Sequence, residues 1–254
     1  MKRTFVNDDF FLEIDCELKA YLLGFFLADG YIRMNARCKN SFYFGIALMK
    51  QDEYVIQWFH DFICPFRTIG HAKESIKNGV SYQASTNIAW TSTKMKEYME
   101  SIYGIKERKT YDVDYEFPFD KIPEEFKWDF IRGVFDGDGQ ISYSKTNHGS
   151  TFGIYTTSEK FANQLGDIFE SEFKTKIERR VEGTQKSNMV LYLLRFTAFF
   201  KKKKFYQEIY EKFYSGKKYF LKRKEEKFKD FLLYQFRANP EEIKPLLDSV
   251  ERSE

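Results

Sequence analysis

The sequence has little cysteine, histidine or proline, and it lacks long apolar runs. Its 254 residues include three Cys, three His and five Pro. Three cysteines without a Cys-x-x-Cys pair argue against a disulfide or zinc framework and for a reducing compartment, and three scattered histidines argue against a histidine-based metal site. No apolar run approaches the ~18 residues that a membrane helix needs, and the N-terminus lacks a signal-peptide core. These absences predict a globular, intracellular protein without a membrane partner.

Large apolar and basic side chains, in contrast, are plentiful. A hydrophobic content of 43%, with 28 Phe and 17 Tyr, can fill a core, and the length fits one large domain or two of about 125 residues. The net charge is only +3, but residues 201–229 contain twelve Lys or Arg against four Glu, which gives a local charge of +8. Such a block, interleaved with aromatic residues, predicts either a surface for a polyanion or a solvated helix face.

A ten-residue segment occurs twice, at 23–32 and at 132–141. The copies read Leu-Gly-Phe-Phe-Leu-Ala-Asp-Gly-Tyr-Ile and Arg-Gly-Val-Phe-Asp-Gly-Asp-Gly-Gln-Ile, and Gly, Asp, Gly and Ile match at an offset of 109. Shorter matches follow at offsets of 106–108, as small loop insertions and deletions would produce. This ordered series predicts two copies of one unit. We place the units at 1–115 and 116–238, followed by an acidic tail at 239–254.

Both copies have the same predicted order of elements, α-β-β-α-β-β-α. The first copy comprises helix Glu17–Ala28, strands Tyr31–Arg37 and Phe42–Leu48, helix Glu53–Ile63, strands near Thr68–Ser75 and Tyr82–Thr91, and helix Lys94–Tyr103. The second comprises helix Pro123–Gly137, strands Gly139–Ser144 and Thr151–Thr156, helix Glu159–Phe173, strands Thr175–Glu182 and Met189–Thr197, and helix Phe199–Phe213. Asp52 and Ser158 are candidate N-caps of the central helices. The predicted fold class is α+β, with two pseudo-symmetric units and antiparallel sheets.

Small residues lie four apart in both repeated helices. Gly24 and Ala28 form one pair, and Gly133 and Gly137 form the other. A flat stripe of this kind lets two helix backbones approach each other closely. The pattern therefore predicts an interface between the two motif helices across a pseudo-two-fold axis.

The same packing would bring two aspartates together. Asp29 and Asp138 would end the two helices side by side, followed by Gly30 and Gly139, where a helix C-cap favours positive φ. A carboxylate there faces the negative end of the helix dipole, which costs about 0.3–1 kcal/mol, and a second carboxylate stands beside it. A divalent cation resolves both conflicts, because Mg²⁺ prefers carboxylates, waters and phosphate oxygens. The repeated conflict predicts a magnesium site rather than two acids that merely follow helices.

The segments 22–30 and 131–139 resemble the two motifs of a monomeric LAGLIDADG homing endonuclease. The resemblance covers nearly the whole chain through the repeated units, and the first motif departs from the family pattern at Leu27, where the motif name has its first Asp. It implies Mg²⁺-dependent hydrolysis of both strands of a long, asymmetric DNA site across the minor groove.

The resemblance also implies the metal ligands. The carboxylates of Asp29 and Asp138 would share two or three divalent ions, together with the backbone carbonyl oxygens of Ala28 and Gly137.

The family usually adds a basic residue from each half, positioned to organise solvent near the attacking water. Lys109 matches that pattern in the first copy. In the second copy the repeat offset points to Lys218, whereas the local sequence points to Lys224, and both stay open. Lys50, at the end of the second strand, is a further candidate; its counterpart, Thr156, is not basic.

The resemblance implies that the exposed faces of the strands form saddle-shaped sheets, which lie on the major groove of DNA and contact the base edges. The candidate DNA-binding residues are Arg33, Asn35, Arg37, Lys39, Lys50, Gln83, Gln140, Ser142, Lys176 and Arg180. A solvated sheet face is the alternative for each row. The rows of the two copies differ in charge, which predicts an asymmetric DNA site.

A second class of function would use this scaffold without cleavage, as an intron maturase or a nucleic-acid-binding regulator. Loss of one motif acid would favour that class, and both acids are present. The sequence therefore predicts a site-specific endonuclease with double-stranded DNA as its partner and intron RNA as the alternative. A monomer is expected because both motifs lie in one chain. The resemblance implies a role in intron or intein mobility, in the cytoplasm or nucleoid of a microbial or phage host or in an organelle.

Overall fold

A computed structural model of the chain describes residues 5–36, 38–77, 79–143, 150–184, 190–195 and 203–235. The first unit consists of α1 (Glu17–Asp29), β1 (Tyr31–Asn35), β2 (Cys38–Met49), α2 (Glu53–Ile63), β3 (Gly70–Ala72), β4 (Ser75–Lys77), β5 (Val80–Tyr82), β6 (Ser85–Thr91) and α3 (Thr93–Tyr103). One predicted strand is divided, because β4 leaves the main sheet and pairs with β5 as a separate hairpin. The hairpin turn contains Gly79 with a φ of 76°, a backbone conformation that favours glycine.

Among the described residues, the second unit repeats this order without a counterpart of the β4–β5 hairpin. It consists of α4 (Lys127–Asp138), β7 (Gly139–Tyr143), β8 (Ser150–Thr156), α5 (Glu159–Phe173), β9 (Glu178–Thr184), β10 (Val190–Arg195) and α6 (Lys203–Phe213), followed by α7 (Lys222–Gln235). The predicted helix from Pro123 begins as a short 3-10 turn, Glu124–Phe126, before α4. The acidic tail predicted at 239–254 lies outside the described residues, and the division of the chain after residue 115 stays a prediction.

Each unit forms a four-stranded antiparallel sheet with the same connectivity. The strand orders are β1-β2-β6-β3 and β7-β8-β10-β9. Apolar side chains alternate onto one face, as at the pairs Ile46–Ile88 and Ile154–Leu194, and these residues belong to the buried core. Helices α2 and α3 contact the first sheet and α5 contacts the second. The predicted α+β class with two pseudo-symmetric units is confirmed.

Equivalent aromatic residues attach the motif helices to their sheets. Phe26 of α1 packs on Phe44 of β2 with ring centroids 5.8 Å apart, and Phe135 of α4 packs on Phe152 of β8 at 5.3 Å. All four rings are fully buried. The sequence repeat therefore preserves the contact that fixes each motif helix on its own sheet.

The two motif helices pack with their backbones in direct contact, as the four-residue spacing predicted. A Cβ atom on Gly24 would lie 2.1 Å from the carbonyl oxygen of Phe130, and one on Gly133 would lie 2.2 Å from that of Tyr21. At the ends of the helices, a Cβ atom on Gly137 would lie 2.2 Å from the Cβ atom of Ala28. The glycines thus set how closely α1 and α4 approach.

The prediction of positive φ at Gly30 and Gly139 is wrong. Both residues have φ of −75° and extended ψ. A Cβ atom on Gly30 would lie 2.3 Å from the ring of Phe26, and one on Gly139 would lie 2.3 Å from the carbonyl oxygen of Phe135. The chain turns directly from helix to strand at these two glycines, beside the anchoring aromatic residues. Glycine is required here because no room is left for a Cβ atom.

One of the two predicted N-caps forms. The Ser158 Oγ accepts a hydrogen bond from the backbone N–H of Phe161 at 3.2 Å. Asp52 makes no cap bond; instead its buried carboxylate accepts a hydrogen bond from Arg223 Nε at 2.8 Å. A tertiary ion pair therefore replaces the local interaction that the sequence predicted.

Helix α7 is an element that the sequence prediction missed. Its apolar residues Phe228, Phe231 and Leu232 are buried, at helical spacing. They lie among lysines and glutamates, so the segment reads as a charged surface in sequence. None of the described helices combines the length and hydropathy needed to cross a bilayer.

We expect Gly133→Ala to lower the free energy of unfolding by about 1–3 kcal/mol, since the new Cβ atom meets backbone and the helices must separate. Gly166→Ala in α5 is the matched control, because its Cβ atom meets only the movable guanidinium of Arg179, and its effect should stay within about 1 kcal/mol. Denaturant unfolding of both variants measures the difference. Equal losses would contradict the assigned role of the helix contact.

Candidate active site at the ends of the paired helices

The two motif aspartates end the paired helices on the same side of the interface. Asp29 is the last residue of α1 and Asp138 the last of α4. Both side chains are exposed to solvent, while the residues that precede them, Ala28 and Gly137, pack against each other. The helix contact thus holds two accessible carboxylates at one place.

Both carboxylates are difficult to ionise although solvent reaches them. Protein surrounds them on most sides, and this desolvation raises the pKa of Asp138 to about 6 and also raises the pKa of Asp29. The negative charge of Asp29 further raises the pKa of Asp138. Among the cations, Lys109 lowers the pKa of Asp138 most, and Lys224 lowers that of Asp29 most. Lys109 and Lys224 therefore favour the ionised carboxylates but do not offset the whole cost of their desolvation.

The two lysines occupy equivalent positions at the carbonyl ends of the helices. Lys109 Nζ donates to the carbonyl oxygens of Leu27 and Ala28, the latter at 2.7 Å. Lys224 Nζ donates to the carbonyl oxygens of Phe135, Gly137 and Gly139 at 2.6, 3.2 and 2.6 Å. Those of Leu27, Ala28 and Gly137 belong to the last turns of the helices, where carbonyls lack intrahelical partners.

Burial alters the acidity of both lysines. It lowers the pKa of Lys224 to about 8 and lowers that of Lys109, because a buried ammonium loses its hydration. At neutral pH Lys224 is therefore mostly charged but able to release a proton.

The structure separates the two lysines that the sequence left open in the second copy. Lys224 lies at the helix end, whereas Lys218 is exposed and its backbone N–H donates to Glu17 Oε1 at 3.2 Å. The repeat offset fails here because the chain before α7 differs in length from the chain before Lys109. Lys50 is exposed in the 3-10 turn after β2.

The donor set fits a hard divalent cation. Two accessible carboxylates directly follow the carbonyl oxygens of Ala28 and Gly137 in the chain, and desolvation, which raises the pKa of both, is a cost that a bound cation would offset. Within the described ranges no three His, Cys, Asp or Glu side chains form a group that could hold a metal ion. An ion here would therefore keep open positions, as Mg²⁺ does when it binds phosphate oxygens and water.

Asp136 is a site residue that the sequence analysis missed. Its buried carboxylate accepts hydrogen bonds from Tyr21 Oη and Tyr214 Oη, both at 3.0 Å, and from the backbone N–H of Leu221 at 2.6 Å. Burial raises its pKa to about 6. The signal in the sequence was the departure at Leu27, since Asp136 stands at the matching position of the second motif.

The predicted DNA-reading residues lie mainly on the open faces of the sheets. Arg33, Gln83, Gln140, Lys176 and Arg180 are exposed, and Asn35 and Ser142 are partly exposed. The guanidinium of Arg33 lies over the rings of Tyr31 and Tyr43, at 5.6 and 5.4 Å from their centroids.

Some of these predictions need correction or cannot be placed. Gln83 and Lys176 lie in the loops just before β6 and β9 rather than within strands. Arg37 lies outside the described residues. Lys39 belongs to β2, but its side chain is not among those that the structure describes.

The basic block at 201–229 is largely packed against the protein. The aromatic residues Phe205, Tyr206, Phe213 and Tyr214 are buried. Ion pairs bind several of its cations, namely Lys212–Glu172, Lys217–Asp129, Arg223–Asp52 and Lys229–Glu225 at 2.6–2.8 Å. The alternation of lysine and aromatic residues thus reflects amphipathic packing, and these four aromatic rings are unavailable for base stacking.

Comparison with known proteins agrees with the two motifs. Residues 125–218 match the family model of the LAGLIDADG-like domain. The LAGLIDADG homing endonuclease I-GzeII, solved in complex with a DNA target, is similar with a TM-score of 0.51 and 12% identity, over 91% of this chain and 96% of that chain. Comparison with curated protein sequences gave no match.

Two further solved structures are similar at lower TM-scores. The LAGLIDADG meganuclease I-AabMI, bound to uncleaved DNA, has a TM-score of 0.49 and 12% identity, over 83% of this chain and 87% of that chain. The homing endonuclease I-LtrWI, bound to target DNA, has a TM-score of 0.48 and 13% identity, over 93% and 97%.

The fold and the paired carboxylates together define a two-unit protein with one composite site between its halves. Residues 125–218 match the model of the LAGLIDADG-like domain, and the fold of the whole chain is similar to that of the LAGLIDADG homing endonuclease I-GzeII. The resemblance that the two motifs predicted is confirmed.

We expect the double variant Asp29→Asn/Asp138→Asn to be more stable than the wild type at neutral pH without divalent ions. An unfolded Asp releases its proton near pH 3.8, but folded Asp138 holds it to about pH 6. The folded wild type thus binds more protons between these values and loses stability as pH rises through them.

The gain in Tm should accordingly grow from pH 4 to pH 7 and reach about 2–4 °C, the effect of removing carboxylates from helix C-termini. Thermal melts across this range measure it. Asp120→Asn is the control, since Lys121 lowers the pKa of that carboxyl and its removal gives no such gain. A difference in Tm between the double variant and the wild type that does not change with pH would contradict the raised pKa values of the two carboxylates.

Proposed function

We propose that the protein is a site-specific endonuclease that hydrolyses both strands of double-stranded DNA with divalent metal ions. The observation that carries the proposal is the doubled site, in which each helix end presents one accessible carboxylate and one lysine. Two equivalent groups related by a pseudo-two-fold axis match the symmetry of two antiparallel DNA strands. One chain supplies both halves, so the active form is a monomer.

The carboxylates of Asp29 and Asp138, with the carbonyl oxygens of Ala28 and Gly137, would hold the metal ions, Mg²⁺ above all. When bound, such ions polarise a phosphodiester and lower the pKa of a coordinated water. The raised pKa of both carboxylates supports this assignment, because a bound cation favours their ionised forms and would offset the cost of desolvation.

The chain's own cations complete the site. Lys109 uses two hydrogen bonds on carbonyl oxygens, which leaves one N–H of its ammonium for a water or a phosphate oxygen. Lys224 uses three, so its contribution here is the positive charge itself. Both charges would stabilise the negative charge that grows on the phosphate during hydrolysis.

The open sheet faces on either side of the helix ends supply a surface for DNA. Exposed polar and basic side chains line both sheets, with more charge in the first unit at Arg33 than in the second at Gln140 and Ser142. β-ribbons of this kind can reach base edges in the major groove. Because these rows of side chains differ in charge between the two units, they favour an asymmetric DNA target.

A cleavage selection tests the function without knowledge of the target. The protein is incubated with a randomised DNA library in Mg²⁺, and the new ends are sequenced. We expect recurrent ends with a fixed stagger. Absence of ends, together with tight binding to structured RNA or to uncut DNA, would overturn the proposal in favour of a maturase or a regulator.

Asp29→Asn and Asp138→Asn should each reduce double-strand cleavage by about 100-fold or more, because metal-assisted hydrolysis loses a ligand. Binding to the selected duplex in Ca²⁺ should remain. Cleavage of the selected duplex and fluorescence anisotropy measure the two properties. Mg²⁺-dependent double-strand cleavage at the wild-type rate in either variant would contradict the site.

The second-copy lysine can be identified by a pair of variants. Lys224→Met should slow cleavage by about 10-fold or more, since it removes a charge beside the reacting phosphate, whereas the exposed Lys218→Met should change the rate less than about 3-fold. Single-turnover rates at saturating protein compare them. A larger loss of rate in Lys218→Met than in Lys224→Met would assign the role of the second-copy lysine to Lys218 instead.

A further inference from the structure

The two lysines are carried by short segments that are anchored in different ways. We call residues 217–224 the Lys224 segment and residues 109–117 the Lys109 segment. Each runs from its own unit to the central helix of the other unit. The residues that fix them therefore decide where each ammonium group lies.

Charged side chains anchor the Lys224 segment. Asp136 accepts a hydrogen bond from the backbone N–H of Leu221 at 2.6 Å, only three residues before Lys224. The 2% exposed carboxylate of Asp52, in the first unit, accepts one from Arg223 Nε at 2.8 Å.

A buried ionic network fixes the start of the same segment. Arg132 donates to the carbonyl oxygen of Tyr219 at 2.8 Å and to carboxylates of Asp129 and Glu17. Lys217 Nζ also donates to Asp129, at 2.7 Å. The Lys224 segment is thus held by ionised groups near both of its ends, and between them the hydroxyl of Tyr54 accepts a hydrogen bond from the backbone N–H of Lys222 at 2.7 Å.

Uncharged side chains anchor the Lys109 segment. Thr157 Oγ1 donates to the carbonyl oxygen of Thr110 at 2.9 Å, and Ser158 Oγ donates to that of Tyr115 at 2.5 Å. The amide of Gln164 bonds both the N–H and the C=O of Phe117 at 2.8 Å. All three anchoring side chains belong to the second unit.

The difference originates in the motif helices. At the repeat offset of 109, Asp129, Arg132 and Asp136 of α4 stand where α1 has Ala20, Leu23 and Leu27. One motif helix therefore carries charged groups that fix a lysine segment, and the other packs through apolar groups in their place.

We propose that Asp136 and Asp52 are positioning residues for Lys224, and that their loss slows hydrolysis of one DNA strand in preference to the other. The inference rests on the proposed function, because it assigns one lysine to each strand. Removing a carboxylate frees Leu221 or Arg223 and lets the ammonium group move. Lys109 keeps its position because none of its anchors changes.

The test uses the selected duplex with each strand end-labelled in turn, under single-turnover conditions in Mg²⁺. Lys224→Met and Lys109→Met first show which strand depends on each lysine. We expect Asp136→Ala and Asp52→Ala, which remove the accepting oxygens, to slow the Lys224-dependent strand about 10-fold more than the other. Thr157→Val, the matched change in the opposite anchor, should slow the Lys109-dependent strand instead. Equal slowing of both strands by all three variants would show a merely structural role and overturn the proposal.

A second measurement does not require cleavage. Hydrogen exchange at the Leu221 amide should become at least about 10-fold faster in folded Asp136→Ala, which has lost the accepting oxygen, while exchange at the Tyr111 amide stays unchanged. Unchanged exchange at Leu221 would overturn the positioning role even in a protein that cuts no DNA. Wild-type protein that cuts neither strand but shows the faster exchange in the variant would instead overturn the proposed function alone.

Discussion

The direct backbone contact between α1 and α4 is the constraint on which the site depends. Gly24 and Gly133 leave no room for a Cβ atom, so the helices approach until carbonyl and Cα atoms touch. Each helix is fixed on its own sheet by a buried aromatic residue, Phe26 or Phe135. The two sheets and the two terminal carboxylates therefore take their relative positions from one contact. An enlargement of a single glycine would move all of them together.

The site concentrates charged groups that the fold partly removes from water. Two carboxylates and two lysines share the helix ends, and desolvation raises the pKa of Asp138 and lowers that of Lys224. An arrangement that maximised stability would place neither acid at a helix C-terminus. The charge is instead available to whatever cation and phosphate enter the open face, which is the usual conflict between stability and activity at a functional site.

The repeat gives the molecule a pseudo-two-fold axis, but the two halves are not equivalent. Charged residues of α4 replace apolar residues of α1, and an ion pair between the buried Asp52 and the exposed Arg223 replaces a serine cap at the matching junction. Buried ionic contacts demand specific geometry more than apolar ones do. The second lysine segment therefore depends on a network, whereas the first depends on a few neutral hydrogen bonds.

The sequence by itself determined the two units, the order of elements, the helix pairing and the two carboxylates, because glycine spacing and a repeated motif are local signals. Only the tertiary structure decided that Lys224 rather than Lys218 lies at the helix end, and that Asp136 and Asp52 hold the segment that carries it. It also showed that Gly30 is needed because a Cβ atom would not fit there, and not because the backbone has a positive φ. The same holds for α7 and for the basic block, whose aromatic rings are buried. These features depend on contacts between residues far apart in the chain, which neither periodicity nor local charge records.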